Sequence, residues 1–134
     1  MPVAIRIRRW RPGDARAVDG LFSALHPGVR PRRVDPGQFR AENRLLVAVR
    51  RGTVVGFAWV TRVRYHGAAV GYLEELVVAE GDRGQGLGRV LVRAAKRWLK
   101  SRGPLEVLFV AASGKAARFY RHLGFRKAQW YWTT

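Results

Sequence analysis

"VVAEGDRGQGLGRVLVRAAKRWLKSRG" (residues 77–103) joins an apolar run to a cationic helical stretch through three glycines at alternate positions, Gly84, Gly86 and Gly88. Glycine is conformationally permissive but entropically costly, so this spacing implies that something approaches the backbone closely. After the turn, Leu87, Val90, Leu91, Ala94, Trp98 and Leu99 recur at helical spacing, with Arg89, Arg93, Lys96, Arg97 and Lys100 on the opposite face. The helix is predicted to stop at "SRGP", where Gly103 suits a left-handed cap and Pro104 forbids continuation. A glycine-rich turn that opens a helix presents unpaired amides and the positive end of the helix dipole, a ready anion site. A tight turn with close helix packing would use the same glycines. Two nucleotide motifs are excluded. A P-loop needs Lys and then Ser or Thr after the last glycine, where Arg89 and Val90 stand, and a dinucleotide fingerprint needs Gly-x-Gly-x-x-Gly, not even spacing.

The surroundings read as alternating elements. "AIRIRRW" (4–10) predicts a strand, and Pro12, Gly13 and Asp14 introduce a helix with Ala17, Val18, Leu21 and Phe22 inward. "HPGVRPRRVDPG" (26–37) reads as a mobile surface loop and "QFRAEN" (38–43) as a short helical turn. Two apolar runs around "RRGT" predict a hairpin with Gly52 at positive φ, and "AAVGYLEELVV" adds a third strand, giving an antiparallel meander over 45–78. "PLEVLFVAA" (104–112) is a strand. Ser113 is the N-cap of a helix carrying Ala116, Phe119, Tyr120 and Leu123 and ending at Gly124, and "FRKAQWYW" (125–132) closes as a strand. Alternation of this kind predicts an α/β layered domain with a mixed sheet. Without repeat, linker or low-complexity tract, residues 1–134 read as a single domain.

Composition narrows the partners. The chain has no Cys, and its three histidines (His26, His66, His122) are too scattered to argue for a metal. No signal peptide or membrane span is evident, so a cytoplasmic protein is expected. Of the 26 basic residues only four are Lys, against nine acids, for a formal charge of +17. Such a field favours anionic ligands, nucleic acid among them; a genome or habitat favouring Arg would also produce it.

Two motifs together resemble the GNAT superfamily of N-acetyltransferases. Arg83, Gly86 and Gly88 fill its pyrophosphate-binding pattern of Gln or Arg, two residues, Gly, one residue, Gly or Ala. "SGKAARFYRHLGF" (113–125) is similar to its second signature through Ala116, Phe119, Tyr120, Gly124 and Phe125. The resemblance implies a mixed, mostly antiparallel sheet with helices on both faces and a splayed central strand pair. It also implies acetyl-CoA as cosubstrate, without a metal. Leu76, Val77 and Val78 would then pair their main chain with the pantetheine amides. Amides from Gly84 through Gln85, Gly86, Leu87 and Gly88 to Arg89 would hold the pyrophosphate, with Arg83 adding charge. Phe119, Tyr120, Ser113 and Lys115 complete the implied cofactor set.

The implied reaction is direct attack of an amine on the thioester, which needs a proton acceptor, an oxyanion donor and an acid for the leaving thiolate. Tyr120 stands where the family places its acid, and the amide of Val77 or Val78 is the implied oxyanion donor. Glu75 is the preferred base and Glu74 the alternative; adjacent strand positions predict that one faces each side of the sheet. The sequence departs from the family pattern at Ser113, where Asn is usual. It departs again at Leu108, which matches the glutamate base of the branch that acetylates protein N-termini. The expectation is an acetyl-CoA-dependent N-acetyltransferase, monomeric or homodimeric. Its acceptor amine, unidentified, would sit in an acidic or nucleic-acid-associated setting. The alternative is a non-catalytic CoA-binding or polyanion-binding module on the same fold.

Overall fold

A computed structural model describes residues 4–28, 34–65, 68–129, 131 and 133–134. Its elements are α1 (Ala15–Leu25), β1 (Arg40–Arg50), β2 (Thr53–Tyr65), β3 (Ala68–Val78), α2 (Leu87–Ser101), β4 (Val107–Val110) and α3 (Gly114–His122). Short 3-10 turns occupy Pro12–Asp14, Pro36–Gln38 and Glu80–Asp82. The sheet runs in the order β1-β2-β3-β4: the first three strands are antiparallel neighbours, and β4 lies parallel beside β3. The α/β class, the meander and the mixed sheet therefore follow the expectation.

Local chemistry explains each connection. Arg51 and Gly52 both have positive φ (51° and 76°), which matches a two-residue turn to the twist of β1 and β2. A parallel neighbour for β3 requires a crossover, and α2 provides it. Its buried stripe is Leu91, Val92, Ala95, Trp98 and Leu99. Leu91 and Val92 pack with Ala58, Leu73 and Tyr120, while Ala95, Trp98 and Leu99 pack with Val60. Helix and sheet meet so closely at Gly71 that a Cβ there would lie 2.8 Å from Leu99 Cδ1. At the far end of α2 the guanidinium of buried Arg62 donates from Nε to Leu99 O (3.2 Å) and from Nη2 to Pro104 O (3.1 Å). A cation is thereby held at the negative end of the helix dipole.

Several expectations are corrected. Residues 4–10 form no strand: Ile5 and Ile7 are 82% and 88% exposed, and alternation without a partner edge makes no ladder. The helical turn expected over 38–43 is only the end of Pro36–Gln38, and β1 begins at Arg40, five residues before the predicted start of the meander. The strand expected at 104–112 is limited to Val107–Val110. No strand forms over 125–129 or at 131, the rest of that prediction (130 and 132) lying outside the described residues, as does 29–33 of the expected loop. In α2, Val90 is exposed and Val92 takes its place in the core. Helix α1 forms where predicted, but none of its residues is buried and Leu21 faces solvent.

Candidate active site

The geometry of the site begins with one extra residue. Strand β3 pairs with β4 from Val70↔Val107 to Leu73↔Val110 and then parts from it. On its other side Leu73 faces Val60 while Glu75 faces Trp59, so Glu74 is a bulge with no partner of its own. A bulge bends the strand and sharpens its twist, which turns β3 away from β4 at the point where pairing ends. The splayed pair is thus observed, and its cause is Glu74.

Beyond the bulge, β3 stays paired to β2 through Leu76, Val77 and Val78, leaving its second edge without a strand. Ala79 donates its amide to Val55 O (2.8 Å). Antiparallel pairing alternates, so Val77 also bonds towards β2, whereas Leu76 and Val78 turn their amides and carbonyls into the gap. Val78 O accordingly accepts from Arg83 Nε (3.1 Å).

The gap leads to a cleft of about 470 Å³ lined by Leu76, Val78, Gly84, Gly86, Gly88 and Phe119, among others. Gly84 and Gly86 have φ of 78° and 81°, a conformation that favours glycine, and nothing stands within 4 Å of either missing Cβ. Gly88 is different: a Cβ there would lie 3.0 Å from Phe119 Cζ. Two glycines therefore shape an open backbone cradle, and the third admits a ring from α3. The first intrahelical bond of α2 is Val90 N to Gly86 O, so the amides of Leu87, Gly88 and Arg89 precede the ladder. Donors without helical acceptors, a positive helix end and open space fit a bound pyrophosphate.

A second cleft, about 610 Å³, opens between the parted strands and α3 and is lined by Leu73, Glu74, Val110, Tyr120, Arg121 and Phe125, among others. Tyr120 is buried, edge-on to Phe119 (5.0 Å between ring centroids) and to Phe125 (5.3 Å). Burial raises its pKa above the ordinary 10.0, and the charge of Glu75 raises it further, so the hydroxyl keeps its proton at neutral pH. Glu74 borders this cleft and also a smaller one, about 340 Å³, which it shares with Glu75, Trp59, Thr61 and Asn43. The expectation that Glu74 and Glu75 face opposite sides is corrected: the bulge breaks the two-residue alternation and both residues line one cleft, both exposed.

A sequence profile described as an acetyltransferase (GNAT) domain matches residues 41–127, from β1 through α3 to the segment beyond it. The chain belongs to the GNAT acetyltransferase family. It is 33% identical to a mycothiol acetyltransferase of Thermomonospora curvata over 95% of this chain and 46% of that protein. It is 39% identical to the streptothricin acetyltransferase of Streptomyces lavendulae over 88% of this chain and 79% of that one. The chain thus spans less than half the length of the mycothiol acetyltransferases it matches. Glucosamine-6-phosphate N-acetyltransferase from Arabidopsis thaliana, 20% identical, shares the fold with a TM-score of 0.63 over 69% of this chain and 65% of its own.

Within this GNAT chain most of the residues singled out in the sequence line one of two clefts. Leu76, Val78, Arg83, Gly84, Gly86, Leu87, Gly88, Arg89 and Phe119 line one cleft, while Tyr120 and Glu74 line the next. Val77, Gln85, Ser113, Lys115 and Glu75 line neither. Ser113 does stand at the N-cap of α3, but its side chain makes no capping bond. Three residues escaped sequence reading. Trp59 donates from Nε1 to Asn43 Oδ1 (3.0 Å) beside the two carboxylates, and Asp82 lines the glycine cleft. Arg50 donates from Nη1 to Asp82 Oδ1 (2.7 Å) and from Nη2 to Gln85 Oε1 (2.6 Å). No local signal reveals Arg50, because its partners are 32 and 35 residues away and only the hairpin tip brings them near.

Proposed function

We propose that this GNAT domain is an acetyl-CoA-dependent N-acetyltransferase that passes the acetyl group directly to an amine. The observation that carries the reading is the parting of β3 from β4 at Glu74, which sets a cradle of free amides beside one end of the gap and a buried, protonated Tyr120 beside the other. When bound, acetyl-CoA supplies an activated acyl group with a thiolate leaving group. The amides of Gly84 to Arg89 hold its pyrophosphate and the helix dipole favours the negative charge. Leu76 and Val78 pair with the pantetheine amides as a neighbouring strand would, and the Val78 amide lies on the edge where an oxyanion forms. Val77, bonded towards β2, is the poorer donor of the two. Tyr120 holds the proton that the departing sulfur takes up. Glu74, bordering both clefts, receives the proton of the attacking amine, with Glu75 beside it adding negative charge that attracts a cationic acceptor. The names of the relatives, mycothiol acetyltransferase, streptothricin acetyltransferase and glucosamine 6-phosphate N-acetyltransferase, support a small polar amine as acceptor and favour catalysis over a binding-only module.

Incubation with acetyl-CoA and a panel of amines, amino sugars, peptides and basic proteins, followed by thiol release, tests the reading. Acceptor-dependent release that collapses in Tyr120→Phe is the expected result. No release with any acceptor, together with equal slow hydrolysis in the variant, would favour the binding module. CoA should also raise the melting temperature, since a ligand that binds only the folded state stabilises it.

A further inference from the structure

The glycine cradle contains an element that opposes its proposed task. Asp82 lines the same cleft as Gly84, Gly86 and Gly88, so an acidic residue stands beside the place where the pyrophosphate would rest. Like charges at such range repel, and a half-enclosed cleft screens them less than open water does. Asp82 is not left bare, however. Arg50, the last residue of β1, reaches across the hairpin tip and bonds Asp82 Oδ1 at 2.7 Å through Nη1. The same guanidinium bonds Gln85 Oε1 at 2.6 Å through Nη2. These two partners flank the start of the turn: Asp82 ends the 3-10 turn before it, and Gln85 stands within it, between the positive-φ glycines Gly84 and Gly86. One planar fork therefore spans Arg83 and Gly84, at the start of the segment whose amides would receive the phosphates.

The hairpin tip is itself held at this end of the sheet. Val55 is an extra residue in β2, because Ala48 faces Gly56 while Val49 faces Val54, and its carbonyl accepts the Ala79 amide just before the turn. Arg50 thus stands on an element tied to the start of the loop it grips. Two glycines at positive φ give that loop wide freedom in the absence of a partner. A guanidinium is suited to the grip, since it stays charged and offers donors in a fixed planar geometry.

We propose that Arg50 is a positioning residue for the cofactor: it neutralises Asp82 and holds the loop at Gln85 so that the cradle accepts the pyrophosphate of CoA. The inference rests on the cofactor reading of the glycine turn given above. Arg50 lines neither the glycine cleft nor the one beside Tyr120, so its effect passes through Asp82 and Gln85.

Calorimetric titration of the full chain with CoA, at two salt concentrations, tests it. Arg50→Gln is expected to weaken CoA binding by about tenfold, the scale of one hydrogen bond to a charged group. Adding Asp82→Asn to Arg50→Gln should recover a good part of the loss, because the carboxylate is then gone; a purely structural role for Arg50 would not produce that recovery. Arg50→Lys, which keeps the charge but not the fork, should lie between wild type and Arg50→Gln even if Arg50→Gln itself folds poorly. Unchanged CoA affinity in Arg50→Gln, with the wild type binding normally, overturns the proposal and leaves the cofactor reading intact. Failure of the double substitution to recover affinity overturns the neutralising role. Absence of CoA binding by the wild type overturns the cofactor reading, and this inference with it.

Discussion

Phe119 stands directly over Gly88: a β-carbon on that glycine would lie 3.0 Å from Cζ and 3.3 Å from Cε2 of the ring. The contact joins the first turn of α2 to α3, and both residues line the glycine cleft. Gly88→Val should therefore cost about 1–3 kcal/mol, the usual range for overpacking. In the same chain Phe119→Ala should recover part of that cost, so the double substitution is less destabilising than the sum of the singles. Denaturant unfolding of the four proteins measures the coupling. Additive effects would show that the ring and the helix do not depend on each other.

Tyr120 carries the pH prediction. Its pKa is raised above 10.0, first by burial and then by Glu75, so a rate that needs the protonated hydroxyl is fully present at and below neutral pH and declines only as pH rises past 10. Tyr120→Phe should lower acceptor-dependent thiol release by roughly 10²-fold or more and abolish that alkaline limb. The substitution removes one oxygen from a buried ring, and the aromatic contacts with Phe119 and Phe125 should survive in the near-ultraviolet circular dichroism.

The two carboxylates at the bulge should separate by role. Glu74 borders the cleft that contains Tyr120, whereas Glu75 borders only the neighbouring one. Glu74→Gln is expected to lower the turnover number by about 10²-fold, the lower end of general-base contributions. Glu75→Gln should have the smaller effect on turnover but should move the Tyr120 alkaline limb to lower pH, because a charge that raises that pKa has been removed. The pH–rate profiles of both variants decide the assignment, and the reverse order would make Glu75 the base.

Arg62 is expected to be a stability residue with no part in the reaction. Buried to 6% exposure, it satisfies Leu99 O and Pro104 O where α2 ends. Arg62→Met keeps the stem and deletes the donors, so Pro104 O loses its side-chain donor and buried Leu99 O keeps only the longer bond from Arg102 N (3.4 Å), at a cost of about 1–3 kcal/mol. The loss should appear in the unfolding midpoint, with CoA affinity unchanged in the fraction that remains folded.

Much of this protein was legible locally. The period of "RVLVRAAKRWLKS" and the stop at "GP" set α2, and "RRGT" set the hairpin, because helical periodicity and turn stereochemistry depend on residues a few positions apart. The two motifs that carried the family resemblance are equally local: a glycine turn that needs positive φ at Gly84 and Gly86, and a helix that presents Phe119 and Tyr120 together. Tertiary structure decided what depends on partners distant in the chain. "AIRIRRW" has a strand's alternation but no paired edge, so it forms no strand among the described residues. Glu74 and Glu75 look like opposite faces in the sequence and share a cleft in the fold, because the register between β2 and β3 slips by one residue at Trp59. The reach of Arg50 to Asp82 and Gln85 exists only once β1, β2 and β3 have aligned. Local chemistry thus determined which elements form around the glycine turn, and long-range register determined which side chains meet there.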